Sequence, residues 1–230
     1  MKSLNRIAII VAMSDEEQLM KNVLSDKKEE TLNSTKYTVG TVGNHQVALL
    51  RCGIGKVNAA VMTTELIAHF KPDFIINSGV AGGLGKDVRV GDVVVGTECC
   101  YHDMWCGSGE WGQVQGFPPR FQVPAELVEN IKKLNLENTH YGLICTGDQF
   151  ICNLQMVLDI KKNFPEGMAV DMESCAIAHV SYIYQIPYLS IRVISDTPGM
   201  EHDNTSQYFD FWIKAPQTTF ETVKRIVANL

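Results

Sequence analysis

Two rhythms of apolar and polar residues alternate along the chain. Ile7 to Val11 is an unbroken apolar run, mostly β-branched, the pattern of a strand covered on both faces. Ser14-x-x-Glu17 then has the spacing of a capping box and predicts a helix towards Leu24. Tyr37 to Val42 and Gln46 to Arg51, joined through Gly43-Asn44, read as an antiparallel hairpin. A helix is predicted from Val57 to Phe70, stopped by Pro72, and a buried strand from Asp73 to Asn77 that runs into a glycine loop, Gly79 to Gly85. Val93 to Val95 reads as a strand, and Tyr101 to Pro119, rich in glycine and aromatics, as a long functional loop.

The second half repeats the alternation. Helices are predicted over Leu127–Leu134, Leu154–Phe164, Ser174–Tyr184 and Phe209–Val227, and strands over Tyr141–Cys145, Met168–Val170 and Pro187–Ile194. Strands alternating with helices predict an α/β fold, a central mixed and mostly parallel sheet flanked by helices. No Pro/Ser-rich linker or internal repeat divides residues 1–230, so one domain is expected.

Composition narrows the function classes. With 20 Lys+Arg against 26 Asp+Glu the net charge is −6, which offers no basic footprint for nucleic acid or an anionic membrane. The apolar run Ile7 to Met13 after Lys2 and Arg6 has the outline of a secretory signal, but it lacks an A-x-A site and runs into Ser14-Asp15-Glu16-Glu17, so a first strand is expected instead. No apolar stretch approaches the ~20 residues of a membrane helix. Seven cysteines without a C-x-x-C pair point to a reducing, cytoplasmic setting.

In open α/β sheets ligands bind beyond the carboxyl ends of strands. That rule selects Met13–Glu16, Gly53–Lys56, Ser78–Gly83, Thr146–Ile151, Asp171–Glu173 and Ser195-Asp196. Familiar motifs fail there. Gly53-Ile54-Gly55 lacks the third glycine of a dinucleotide fingerprint, and a P-loop would need glycine at Val80 and Ser or Thr at Asp87. Cys106-Gly107-Ser108 has Gly109 where a papain-type signature needs cysteine, and the six scattered histidines give a metal site no support. What remains is carboxylates beside glycine-rich turns, with Arg192 inside an apolar strand. A buried guanidinium needs a partner, and Asp196 with a carboxylate across the site are the expected ones. On the residues alone, Arg192 and Asp196 could equally be a staple of the sheet.

Eight segments in register carry a resemblance. They are Ile9-Ile10-Val11-Ala12-Met13 with its acidic cluster, Gly53-Ile54-Gly55-Lys56-Val57-Asn58-Ala59-Ala60, Ile75 to Gly83, and Val90-Gly91-Asp92-Val93-Val94-Val95. The later four are Tyr101-His102-Asp103, Gly147-Asp148-Gln149-Phe150-Ile151, Asp171 to Ala178, and Arg192-Val193-Ile194-Ser195-Asp196. Together they resemble the nucleoside phosphorylase and nucleosidase superfamily, and within it are similar to the 5′-methylthioadenosine/S-adenosylhomocysteine nucleosidases.

The resemblance implies hydrolysis of the N-glycosidic bond of a 5′-thioadenosine nucleoside, releasing adenine, as a step of methionine salvage without a cofactor or metal. It implies Asp196 as the acid to the base, oriented by Ser195, Glu16 as the base activating water with Arg192 beside it, and Glu173 as acceptor for the ribose hydroxyls. Phe150 would lie against the purine, with the backbone of Ile151 reading its edge. Met13, Ile54, Met172 and Tyr208 would line the 5′-thioether pocket, although Ile54 reads equally well as core. Family members carry serine where Val80 stands, so the water here would rely on Glu16 and Arg192. The resemblance also implies a homodimer with residues 103–119 near the partner's pocket, while Met104 to Gln115 departs from the usual loop. A phosphorylase, a futalosine-type nucleosidase and a non-catalytic nucleoside-binding protein are the alternatives on this fold. The acids of Ser14-Asp15-Glu16-Glu17 would repel phosphate and favour water.

Overall fold

The first strand shows how the sheet is built. In β1 (Arg6–Val11) side chains alternate between two apolar layers: Ala8 and Ile10 pack into one, Ile7, Ile9 and Val11 into the other. Both faces are therefore covered, as an unbroken apolar run requires. The computed structural model describes residues 5–33, 35–199, 204–214 and 221–230. After β1 come α1 (Ser14–Lys21), the strands β2 (Ser25–Leu32), β3 (Thr35–Val42) and β4 (His45–Arg51), and α2 (Lys56–Phe70). β5 (Phe74–Gly83), β6 (Val93–Tyr101), β7 (Phe121–Gln122), α3 (Ala125–Lys132) and β8 (Thr139–Thr146) follow. The chain continues through α4 (Leu154–Asn163), β9 (Gly167–Asp171), α5 (Ser174–Tyr184) and β10 (Tyr188–Asp196) to α6 (Asn204–Lys214) and α7 (Glu221–Val227).

The expected α/β architecture is present as one mixed sheet. β1 pairs in parallel with β4 and β5, β5 with β10, and β8 with β6 and β9. The antiparallel pairings are β2–β3, β3–β4, β5–β9, β6–β7 and β6–β10. Helices α2 and α5 cover one face, with Leu66, Ile67, Phe70, Cys175, Ala176 and Ile177 buried there. Residues of α1, α3, α6 and α7 cover the other, through Met20, Leu127, Phe211 and Ile226.

One feature of this topology makes a cavity. On one flank β5 pairs with β10 along its length, Ile75 to Gly82. On the other flank it pairs with β1 only over Phe74 to Asn77, and β9 takes that flank only at Gly82 and Gly83. Between them, Ser78 to Ala81 has no paired strand on that flank. β9, β8 and β6 return to β10, so five strands close a ring whose wall has a gap where β1 ends and α1 begins.

Four local expectations are corrected. Of the expected glycine loop Gly79 to Gly85, the part up to Gly83 is the second half of β5, because its extended backbone is paired with β10 as far as Gly82 and with β9 at Gly82 and Gly83. The first helix is capped at Met13 and not at Ser14, and it ends at Lys21. Glu16 bonds back to the Met13 N–H, while Glu17 faces out to Lys21. Strand β2 was unexpected, since its Ser-Asp-Lys-Lys-Glu-Glu-Thr-Leu sequence has no apolar alternation; as a sheet edge it is held by backbone bonds to β3, and charged edges resist further pairing. The last helical stretch is longer than expected at its start, α6 covering Asn204–Lys214 and α7 Glu221–Val227, while residues 215–220 of the expected helix lie outside the described residues.

Candidate active site

The gap in the ring is filled by one side chain. Glu16 sits on the first turn of α1, is 1% exposed, and turns back into the space that a neighbouring strand would occupy. Its Oε1 accepts the Val80 N–H at 2.9 Å, the ladder donor that β5 has left unpaired. Its Oε2 accepts the N–H groups of Ala12 and Met13 at 2.8 and 2.9 Å. Burial raises the carboxyl above its ordinary value, while Arg192 and the three N–H donors pull it down. The result is a buried carboxyl held by three backbone donors at a strand end.

Arg192 reaches the same gap from the opposite flank by passing over Gly79, its register partner on β5. A Cβ on residue 79 would lie 2.5 Å from both Arg192 Nη1 and Glu16 Oε1, so only glycine leaves room for the two. Arg192 Nη1 donates to the Val80 carbonyl at 3.3 Å.

Above this floor lies a cavity of about 120 Å³, lined by residues from the strand ends around the gap. Met13, Ile54 and Tyr208 form one end, where the Tyr208 hydroxyl donates to the Met13 sulfur at 3.3 Å. Phe150 meets Tyr208 edge-on with ring centroids 5.6 Å apart. Met172 and Glu173 close the middle. Glu173 Oε1 accepts the Gly55 N–H at 3.0 Å, and Oε2 stands 3.7 Å from Arg192 Nη2. Burial, with Asp171 and Glu16 nearby, pushes Glu173 up to about 7 against the pull of Arg192.

The other end is bounded by Ile151, Val170, Ser195 and Asp196. Asp196 Oδ1 accepts the Ser195 hydroxyl at 2.6 Å, and Oδ2 accepts an Asn204 amide N–H at 3.1 Å. Burial raises this carboxyl more than those two donors lower it. Three carboxylates thus face one cavity in three different settings.

Comparison with known proteins fits this geometry. Residues 6–228 match the family model of the phosphorylase superfamily. A 5′-methylthioadenosine/S-adenosylhomocysteine nucleosidase of an Exiguobacterium species is 43% identical over 202 residues, covering 85% of this chain and 87% of that protein. The Bacillus velezensis nucleosidase of the same name is 35% identical over 229 residues, 96% of this chain and 99% of its own. The Neisseria meningitidis nucleosidase, solved with methylthio-immucillin-A, superimposes with a TM-score of 0.92 at 36% identity, covering 99% of this chain and 100% of that one. The Streptococcus pneumoniae enzyme with 8-aminoadenine gives 0.92 at 33%, over 98% and 100% of the two chains.

The chain belongs to the 5′-methylthioadenosine/S-adenosylhomocysteine nucleosidase family.

In this nucleosidase-family chain the residues singled out from the sequence come together around one cavity. Met13, Glu16, Ile54, Val80, Phe150, Ile151, Met172, Glu173, Ser195, Asp196 and Tyr208 all line it, so Ile54 is at the rim and not in the core. Arg192 lies beneath the floor, 1% exposed. Its expected pairing with Asp196 is wrong. The guanidinium pairs with Asp171 Oδ2 at 2.7 Å and with Glu173, and it also donates to Asn77 Oδ1 and the Ser174 hydroxyl. The reason is β9, whose last residue, Asp171, is brought across the ring to the cationic end of the arginine, while Asp196 lies further along Arg192's own strand and faces Ser195 and Asn204.

Sequence reasoning missed several members of this network. Asn77 and Ser174 hold Arg192, Thr146 donates to Asp171 at 2.6 Å, and Asn204 meets Asp196. The polar Asn77 in an otherwise apolar strand was the one local signal, since a buried amide needs partners.

Proposed function

We propose that the chain hydrolyses the N-glycosidic bond of 5′-thioadenosine nucleosides, methylthioadenosine and adenosylhomocysteine, and releases adenine. The carrying observation is the trio Glu16, Glu173 and Asp196 on one cavity, each with its own partners. Cleavage passes through a sugar cation resembling an oxocarbenium ion, which demands a proton for the leaving base, charge beside the ribose and an activated water. Asp196 transfers its proton to N7 of the purine, and burial, which raises its carboxyl above the ordinary value, favours the protonated form that can donate. Electrons of the broken C–N bond pass to the base. Glu16 takes a proton from water as its oxygen bonds to the sugar carbon, and Arg192 steadies Glu16 across Gly79.

Glu173 accepts the ribose hydroxyls, and its charge suits the developing cation. The purine lies against Phe150, with the backbone of Ile151 reading its edge; backbone donors and acceptors tell an amino from an oxo purine because the two exchange places. A relative solved with 8-aminoadenine supports a purine at this site. Met13, Ile54, Met172 and Tyr208 take the 5′ thioether. The Val80 backbone N–H fixes Glu16. Among the described residues lining the cavity there is no lysine or arginine to receive phosphate, which favours water over phosphorolysis.

Adenine release from methylthioadenosine in phosphate-free buffer tests the reading. Release there supports it; no release, or release only on adding phosphate, overturns it. Glu173 supplies a pH test. A carboxylate accepts hydroxyls best when ionised, so KM is expected to rise as pH falls through about 7. Glu173→Gln should raise KM at every pH and flatten that rise; an unchanged KM profile would remove Glu173 from the ribose site.

The same reading places the chain 1–230 as one domain in the cytoplasm, acting in methionine salvage, and its seven cysteines are free thiols. It also makes the chain a homodimer. Val57 and Val61 on α2 and Tyr182 and Ile183 on α5 are each more than half exposed, and Phe117 of the loop 103–119 joins them, 6.3 Å from Tyr182 between ring centroids. Such a face marks a partner surface. Sedimentation of a monomer at micromolar concentration would remove this part of the proposal.

A further inference from the structure

Asn204 opens α6 and is 3% exposed. Asparagine at a helix start commonly caps the backbone through its oxygen. Here the amide nitrogen faces inward and donates to two groups at once: Asp196 Oδ2 at 3.1 Å and the Ile151 carbonyl at 3.1 Å. One side chain therefore spans the acid and the backbone group that borders the purine edge. Gln207, one turn further along α6, anchors the same helix differently. Its Oε1 accepts the Thr197 N–H at 2.9 Å and the Thr197 hydroxyl at 3.2 Å, without touching the carboxylate.

We propose that Asn204 is a positioning residue for the leaving-group acid, fixing Asp196 Oδ2 towards the base and stabilising the carboxylate that forms as the proton departs. This rests on the assignment of Asp196 as that acid. With Ser195 donating to Oδ1 and Asn204 to Oδ2, both oxygens carry a neutral donor, and the remaining lone-pair direction of Oδ2 is left for the proton shared with N7. Charge generated on Asp196 in the transition state meets a donor already in place, so no reorganisation is needed at that moment.

The other titratable groups lining the cavity are Tyr208 from α6, Glu16 from α1, Asp171 closing β9 and Glu173 just after it, and Arg192, from the same strand as Asp196, lies beneath the floor. From β5 and from residues 149–151 only backbone and uncharged side chains face Asp196. Among the described residues the donors on the carboxylate itself are thus Ser195 and Asn204. Removing a donor disfavours the ionised form, which keeps Asp196 protonated to higher pH.

The test is the pH profile of kcat/KM for adenine release in Asn204→Leu, Asn204→Asp, Gln207→Leu and Asp196→Asn, with the unfolding midpoint of each variant. Asn204→Leu is expected to lower kcat roughly ten- to a hundredfold, the range for a hydrogen bond to a charged group, with KM little changed and the alkaline limb moved to higher pH. Asn204→Asp keeps the side-chain volume and sets a like charge against Asp196, so its alkaline limb moves up as well. Gln207→Leu should leave the limb where it is, since it loosens the helix without touching the acid. An unmoved limb in a folded Asn204 variant, or an equal shift in Gln207→Leu, overturns the proposal. Asp196→Asn separates the two readings: if it retains turnover the assignment of the acid fails, and if it is inactive while the Asn204 variants keep the wild-type limb, only the role of Asn204 fails.

Discussion

Asp196→Asn is expected to lose about 10²–10⁴-fold in kcat for adenine release, the usual contribution of a positioned general acid, while KM stays within a few-fold. The amide fills the same space between Ser195 and Asn204, so the purine still finds its shelf. What it lacks is a proton that can leave. The sign of the pH dependence follows from the same burial. Asp196 is raised above its ordinary value by burial, so kcat/KM of the wild type is expected to fall as pH climbs through that raised value. In Asp196→Asn that limb should vanish. Adenine formation followed across pH, with adenine binding as the control for an intact pocket, checks both; turnover near the wild-type rate would sink the assignment.

Arg192→Met carries the second large effect, and here stability changes as well as activity. The side chain is similar in length but uncharged, so Asp171 and Glu173, 6% and 5% exposed, lose the guanidinium that balances them. Breaking a buried ion pair from one side costs about 3–5 kcal/mol. In a chain of this size that corresponds to roughly 6–20 °C in Tm. Glu173 already binds its proton more tightly in the folded protein, at about 7 against an ordinary 4.5. Its contribution to stability is therefore present in acid and lost as pH rises through about 7. Without Arg192 the raising by burial is less opposed, so the deficit should be larger at pH 8 than at pH 5. Thermal unfolding at the two values measures it. A Tm unchanged at both would mean that the buried pair contributes no net stability, and kcat unchanged would separate Arg192 from Glu16.

The two variants also mark where sequence reasoning succeeded and where it failed. Strand ends were legible because an apolar run followed by polar residues has few other readings, and the three carboxylates lie at such ends: Glu16 after β1, Glu173 after β9, Asp196 closing β10. The pairing of Arg192 was not legible. Asp196 is four residues away on the same strand, whereas Asp171 arrives from β9 through the closure of the ring, a contact that no local pattern encodes. Strand β2 was missed for a related reason, since backbone bonds at an edge leave no apolar signature.

The glycines of β5 show the division most clearly. As a sequence, Ser78-Gly79-Val80-Ala81-Gly82-Gly83 looks like a loop, because small residues weaken any strand signal. In the fold the same residues are a strand, and Gly79 has a reason to be glycine: Arg192 Nη1 and Glu16 Oε1 both lie over it, with no space for a Cβ. By itself the sequence determined the layered α/β class, the positions of the strand ends and the residue types that chemistry would need there. Only the tertiary structure decided that β1 stops short of β9 along β5 and leaves an open flank. It also decided that Glu16 satisfies the Val80 N–H exposed there, and that Asn204 returns from a separate helix to hold Asp196. The physical reason is that unpaired backbone groups and buried charges are satisfied by whatever the fold brings within about 3 Å, and that proximity is a property of the closed ring and not of neighbouring residues in the chain.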